Sequence, residues 1–523
     1  MERLRSLTGT VDFIRRRGRA NHRRRKNSAL AKTTNDRRAD DDDDADESFR
    51  VLVLGAGPAG LTSALSLQRN LSKLVPVGKL EISVVDRNEN ALRRTIGGGF
   101  NINGGAAVLE KLGVYDECFR ELRNSLEKVR ARRCDENRTE LFEVDVGEEV
   151  RKDSFFGVKK TLVNETNGEV MAGTVMRADL SKKLSEAFLN CNGNGDDDDG
   201  DQFSLTLGCE IVNIDAETGE VQFVNSKNNK MNGNATNIGA LETRKFDLII
   251  GADGIDSLAR KTIINSIDSK NNRSDDSFRN SRSKRKEPVY SGIKILFGVT
   301  GVDNNVDALM REKTDQTTAH QWFSDGSYAL IFTGGGVNQK RHNLAFCSNE
   351  PLGSANSNPS WRADTSVTKE YAHSKMMQAN MPSDVLNLCL RCERFFEIGV
   401  FFHEPMEEWF SGKLVLVGDS AHAMPPFLGQ GANQAMQDAF VLSKVLQKCT
   451  NLKDANLLNE SLMEYSKLRR PPTEAIMNAS RFVGALETGK GIVGLFRDFA
   501  FTIAGKFGIT GKIFLSGATP RIF

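Results

Sequence analysis

An α/β fold with a parallel sheet at its centre is predicted by three widely separated stretches, each a short apolar run that stops at a glycine-containing turn. They are VLVLGAGPAG at 51–60, FDLIIGADG at 246–254 and LVLVGDSAHAMPPFLGQG at 414–431. Unbroken apolar runs suit strands covered on both faces, as in a parallel sheet, whereas alternation would mark a half-exposed strand.

The first stretch passes from strand to turn to helix without a gap. Gly55 allows the tight turn, Gly57 lets backbone approach a pyrophosphate, and Gly60 lets the helix pack closely on the strand. Ala59 lies inside the same turn, and Leu61, Ala64, Leu65, Gln68 and Leu71 mark the buried face of the helix. A second apolar strand (Ile82, Val84, Val85) ends in Asp86, a carboxylate suited to ribose hydroxyls, followed by Arg87. This completes a βαβ unit that binds a dinucleotide at a helix N-terminus but does not tell one dinucleotide from another.

In the third stretch Asp419 stands at the carboxyl end of a strand, where parallel sheets bind their ligands. Pro425 and Pro426 stiffen the turn that follows. Gly429, Gln430 and Gly431 open a helix whose Ala432, Ala435, Met436, Ala439, Leu442 and Leu446 repeat at helical spacing. Its unpaired N–H groups, with Ala432 and Asn433 in the first turn, offer donors to an electron-rich ring edge. His422 lies inside this stretch beside the strand and is read as a structural or cofactor-orienting residue.

Together the stretches resemble the group A flavoprotein monooxygenases: a GxGxxG fingerprint, a DG motif at Asp253 and Gly254, and a GD motif at Gly418 and Asp419. Three smaller segments agree: RADL at 177–180, GGGFNI at 97–102 and YSKLRRPP at 465–472. The resemblance implies a Rossmann-like FAD-binding domain with a parallel sheet, an interleaved mixed β-sheet substrate domain and C-terminal helices. It implies FAD held by Gly55, Gly57, Ala59, Gly60, Asp86, Arg177, Asp253, Gly418, Asp419, Gly429, Gly431, Ala432 and Asn433, with Arg87, Arg94 and Asn101 as further contacts. It also implies NAD(P)H as co-substrate, without a nicotinamide domain of its own, and transfer of one oxygen atom from O₂ to a small aromatic or conjugated molecule by hydroxylation or epoxidation. The cofactor carries the difficult chemistry, so no side chain is nominated as a catalytic base. A flavin reductase or dehydrogenase without oxygen insertion, and a non-catalytic flavin-fold binding protein, are the alternatives.

The rest of the chain sets bounds. Its 523 residues exceed one core, 39% are apolar, and the net charge is +2, too small for a field that attracts nucleic acid. No apolar run approaches the roughly 18 residues of a membrane span. Eight scattered cysteines suit a reducing, intracellular setting, cytoplasmic or organellar. Cys389 and Cys392 are read as helical side chains, and the histidines lack metal-ligand spacing, so no metal is expected. Residues 1–48 form a disordered leader, with basic runs at 15–19 and 23–26 and an acidic run at 40–44, read as a transit peptide, a nuclear-import or nucleic-acid patch, or an inert tail. The FAD-binding domain is expected over 49–480, mainly 49–135, 170–265 and 395–480, with the substrate domain mainly at 136–169 and 288–394. Polar stretches at 190–201, 225–239 and 269–287 are read as surface insertions. In the substrate domain, 289–299, 328–332 and 344–347 have strand character, glycines 334–336 form a hairpin turn, and Trp322 and Phe323 are read as core. A helical tail over 481–523 mixes glycines with apolar residues, either packing on the body, the favoured reading, or making weak contact with a membrane interface.

Overall fold

The computed structural model describes residues 48–72, 80–93, 97–153, 157–164, 167–190, 201–225, 241–270, 287–302, 317–336, 339–353, 360 and 362–521. The leader up to residue 47 and nearly all of the three polar stretches lie outside these residues, as does Arg94.

The three glycine-ended strands share one sheet. β1 (Phe49–Leu54) pairs in parallel with β2 (Leu80–Asp86) on one side and β12 (Leu248–Gly251) on the other. β2 continues to β8 (Gln202–Leu207) and β12 to β19 (Leu414–Leu416), both parallel, with the short β18 (Phe410–Ser411) antiparallel at the edge. The β1 residues Val51, Leu52 and Val53 are fully buried, as the unbroken apolar runs require. Helix α1 (Pro58–Leu71) packs on this sheet together with α8 (Gly431–Leu446). Two small antiparallel sheets flank it. One joins β3 (Gly99–Ile102), β7 (Gly173–Met176) and β4 (Asn124–Ser125), and the other joins β9 (Cys209–Ile214), β10 (Glu220–Asn225) and β11 (Leu241–Lys245).

The middle of the chain forms a seven-stranded sheet. Its order is β17 (Cys392–Phe402), β13 (Val289–Thr300), β16 (Arg341–Asn349), β15 (Ser327–Gly334), β14 (Thr318–Ser324), β5 (Lys128–Arg133) and β6 (Glu140–Asp145). All pairs are antiparallel except β14 with β5, so the sheet is mixed. β5, within a range expected for the FAD-binding body, pairs here instead, as does β17, which straddles the expected boundary at 394/395. Glycines 334–336 turn β15 into β16, with Gly335 and Gly336 at positive φ. On the outer face Trp322, Leu344 and Phe346 pack against α5 (Lys369–Gln378) and α6 (Ser383–Arg391). Trp322 and Phe323 are both buried, as core. Cys389 is helical but Cys392 is not: the chain turns extended there and opens β17. Burial pushes the two thiols up to about 11 and about 12, the opposite of a reactive pair.

A 33-residue helix, α9 (Ala455–Glu487), carries the YSKLRRPP segment. At its end Glu487 is buried beneath the seven-stranded sheet, with Gln321 Nε2 donating to its carboxyl at 3.3 Å. Burial raises the Glu487 carboxyl to about 8. A carboxyl whose folded value exceeds its unfolded one binds the proton more tightly when folded, so it supports the fold at low pH and loses that contribution as pH rises through about 8. Glu487→Gln is therefore expected to raise the melting temperature above about pH 8 and to change little in acid. An equal shift at both ends of a thermal-melt pH series would contradict this.

The tail continues as α10 (Ile492–Lys506) and α11 (Ile509–Ala518). The expected packing holds on one face only. Phe501 meets Phe142 and Phe323 edge-on, at 5.5 and 5.4 Å between centroids. Within α10 only Gly494 and Arg497 are fully buried, and the opposite face is apolar and open. The reason is compositional: nine of the fifteen residues of α10 are apolar and fall on both faces, and one docked face cannot cover them all.

Candidate functional site

The site begins where β1 gives way to α1. Gly55 has φ +104°, and a Cβ there would lie 2.4 Å from the Ala252 carbonyl oxygen, so the first turn is pressed against the end of β12 and its Asp-Gly turn. A Cβ on Gly60 would lie 1.9 Å from the Gly55 oxygen, which is why the helix can start so near the strand. Gly57 caps α1 without a side chain and leaves the helix end open. Ala56 N–H donates to Asp86 at 2.8 Å, and Gly55 N–H donates to the Val85 carbonyl at 2.7 Å, which ties the end of β2 to the same turn. Arg87 is exposed next to it.

The third stretch closes on the first. Gly418, at φ +64°, sits between Ala59 and Ala435, whose Cβ atoms each lie 3.0 Å from where its own would be. Asp419 opens the short helix α7 (Asp419–His422) and faces the cleft, near Gly431 at the start of α8. Enclosure raises the Asp419 carboxyl, opposed by His422 and Arg177. Asn433 ties α8 to β3: its Nδ2 donates to the Asn101 and Gly429 carbonyls, and its Oδ1 accepts from Asn103 and Gly105 N–H. The Asn101 side-chain oxygen is buried without a partner among the described residues.

Arg177 opens α3 (Arg177–Leu189). Its Nη2 lies 3.7 Å from the Cβ position of Gly57, and its Cδ lies 3.3 Å from that of Gly97. It is exposed and has no carboxylate partner among the described residues. Asp253 differs. Its carboxylate accepts from Ser257 Oγ at 2.6 Å and Ala259 N–H at 3.2 Å, so it caps α4 (Leu258–Lys270) and presents mainly backbone toward Gly55. Burial raises its carboxyl, and those two bonds oppose the rise.

A buried charged network lies behind these turns. Asp438 Oδ2 accepts from Gly418 N–H at 3.0 Å and from His422 Nε2, and Asp438 Oδ1 accepts from Arg469 Nε at 2.7 Å. Arg469 reaches on to the Gln434 side chain at 2.7 Å and to the Arg521 carbonyl at 3.1 Å. Burial pushes the Asp438 carboxyl up, but His422 and Arg469 outweigh it and hold the group below the usual carboxylate range. Arg260, also fully buried, donates to the Ala421 and Glu404 carbonyls and so joins α4 to α7. His403 donates to the Ile255 carbonyl at 2.8 Å, and burial lowers its imidazole to about 3, so it stays neutral.

Comparison with known proteins follows the same outline. A family model described as an FAD binding domain matches residues 395–480. The 6-methylsalicylate 1-monooxygenase of Aspergillus terreus is 27% identical over 243 residues, 46% of this chain and 47% of that protein. An FAD-dependent monooxygenase of Penicillium crustosum is 40% identical over 90 residues, 16% of this chain and 19% of that one. The chain thus spans about half, or less, of the curated relatives it matches. A Klebsiella pneumoniae HpxO structure with FAD and uric acid superposes with TM-score 0.63 at 16% identity, covering 90% of this chain and 96% of that one. The chain is thus similar to FAD-dependent monooxygenases over part of its length and shares the fold of the HpxO structure. Residues 395–480 are the part that is similar to an FAD binding domain.

The fold brings the residues of all three motifs to one cleft: Gly55, Gly57, Ala59 and Gly60 with Asp86; Asp253; and Gly418, Asp419, Gly429, Gly431, Ala432 and Asn433. Arg177 and Asn101 join them from elsewhere in the sequence. His422 faces Asp438 and the Trp409 ring, at 5.3 Å between centroids, so its contacts are structural. Sequence reasoning missed Arg260, Asp438, Gln434 and Arg469 as a supporting set. The signal was available in part: Asp438 closes the third stretch and Arg469 lies in YSKLRRPP, and charges within apolar helical faces imply buried pairing.

Proposed function

We propose that this chain is an FAD-dependent monooxygenase that uses NAD(P)H and O₂ to hydroxylate or epoxidise a small aromatic or conjugated molecule. The observation that carries the reading is the closeness of the flavin cleft to an aromatic wall. A Cβ on Gly98 would lie 2.0 Å from the Phe297 ring, so the glycine strand of the cleft runs flat against it. Phe297 stacks on Phe396 at 5.1 Å between centroids and meets Phe332 edge-on at 6.5 Å. Tyr328 and Phe427 extend the same inner face of the sheet. Such a surface favours planar, apolar ligands.

Several features of the cleft suit FAD. The unpartnered Arg177 guanidinium beside Gly57 fits a pyrophosphate, Asp86 fits ribose hydroxyls, and the orphaned Asn101 oxygen and the cleft-facing Asp419 fit a polar ligand. Bound there, FAD supplies hydride acceptance and oxygen activation. The chain's own residues bind and orient: the α8 N-terminus presents N–H groups to developing negative charge, the phenylalanine wall excludes water and seats the substrate, and Asn343 Oδ1 fixes the glycine strand by accepting from Gly99 N–H at 2.8 Å. An intracellular setting, cytoplasmic or organellar, goes with this reading, because NAD(P)H is an intracellular reductant.

The test is a substrate panel with purified, yellow protein. Substrate-dependent NAD(P)H oxidation, matched by O₂ uptake and a product heavier by one oxygen atom, is expected; turnover without oxygen would move the assignment to a reductase. Phe297→Ala is expected to lower kcat/KM about 10- to 100-fold, the loss of one buried ring, while flavin content stays unchanged. Parallel loss of flavin would show the ring to be structural only.

A further inference from the structure

We propose that α10 and α11 form a docking surface for an anionic phospholipid membrane. Ile492, Leu495, Phe496 and Phe499 recur on the open face of α10, between 58 and 85% exposed, and Phe507 and Ile513 carry the strip on to α11 at 72 and 51%. The spacing of three and four residues makes one stripe, opposite the face that Phe501 and Arg497 dock on the body. Contiguous apolar surface of this kind is not left to water without a partner.

Charge selects the partner. From residue 488 onward the chain carries Lys490, Arg497, Lys506, Lys512 and Arg521 against one acid, Asp498. Asp498 is paired with Arg497 and Arg133 at 2.8 and 3.3 Å, which leaves Lys490, Lys506 and Lys512 exposed around the stripe. Acids from neighbouring elements that lie against these helices are Asp325, which accepts from Gly491 N–H at 2.6 Å, and Glu149, against Gly511. Phenylalanines and isoleucines rimmed by lysines match the boundary between acyl chains and anionic headgroups. At 15 residues α10 is about 22 Å long, short of the ~30 Å hydrocarbon core, so the helices lie on the membrane. No helix among the described residues is long and apolar enough to cross one. The far end of α11 reaches the flavin cleft, where the Ala518 carbonyl lies 3.4 Å from the Cβ position of Gly104 and Gly517 adjoins Gln430. Docking therefore brings the cleft close to the bilayer surface.

The experiment is co-sedimentation of the full, flavin-loaded chain with phosphatidylcholine vesicles, with and without phosphatidylserine, alongside light scattering of the free protein. Binding is expected to be strong only with phosphatidylserine present. Phe496→Glu and Phe499→Glu, both at exposed positions, are expected to abolish it without loss of flavin. Lys506→Glu and Lys512→Glu are expected to weaken it about fivefold each, on anionic vesicles alone. No binding to either vesicle, or binding indifferent to the phenylalanine variants, overturns the proposal. So does a dimer that Phe499→Glu splits into monomers while vesicles stay unbound, which would assign the face to a second copy of the chain.

Discussion

Asp438→Ala is expected to cost about 3–5 kcal/mol of stability, the cost of leaving a buried charge uncompensated, and to release the flavin with it. The carboxylate holds Gly418 N–H, His422 and Arg469 at once, and Arg469 has no route to solvent: its side chain is fully buried. Removing Asp438 strands a guanidinium and frees the turn that places Asp419. Acid should mimic the change. The folded carboxyl lies below its usual range, so its contribution is present above the unfolded pKa and is lost as pH falls through the lowered folded value. Denaturant titration of wild type and variant across acid pH checks both statements. A variant that keeps the wild-type midpoint, or an acid limb identical in the two proteins, would refute the account of this network.

Arg177→Ala should have the opposite profile, with FAD affinity falling about 10- to 100-fold, the worth of a charge-assisted hydrogen bond, and stability of the apoprotein nearly unchanged. The side chain is exposed, stands beside Gly57 and Gly97, and pairs with no described acid, so folding gains little from it. Arg177→Lys keeps the charge but loses the planar fork and should recover only part of the affinity. Fluorescence titration of apoprotein with FAD, read beside a thermal melt, separates the two quantities. Loss of stability equal to the loss of affinity would show Arg177 to be structural.

The fold was legible where local chemistry decides it. Glycines in forced positions, such as Gly55 and Gly60, leave a pattern no other residue can supply, and unbroken apolar runs mark strands buried on both faces. What the sequence withheld depends on long-range pairing. Nothing local to Lys128–Arg133 says that β5 runs parallel to β14, nearly 190 residues away, and nothing local to Cys392 says that the chain turns extended there. The same holds for the site: the glycines and Asp419 could be read from motifs, whereas the capping of α4 by Asp253 and the contact of Gly98 with Phe297 exist only once the chain has folded. The tail shows a third case, in which apolar composition suggested burial and the geometry left half of it open.

The central claim is that residues from four distant parts of the chain, Gly57, Asn101, Arg177 and Asp419, border one flavin-sized cleft. Titration of flavin-stripped, full-length protein with FAD, followed by flavin absorbance and fluorescence, tests it most directly. The account predicts an equimolar end point, with affinity that falls for both Arg177→Ala and Asp419→Ala while the apoproteins melt like wild type. Failure to take up FAD, or uptake indifferent to both substitutions, would contradict it.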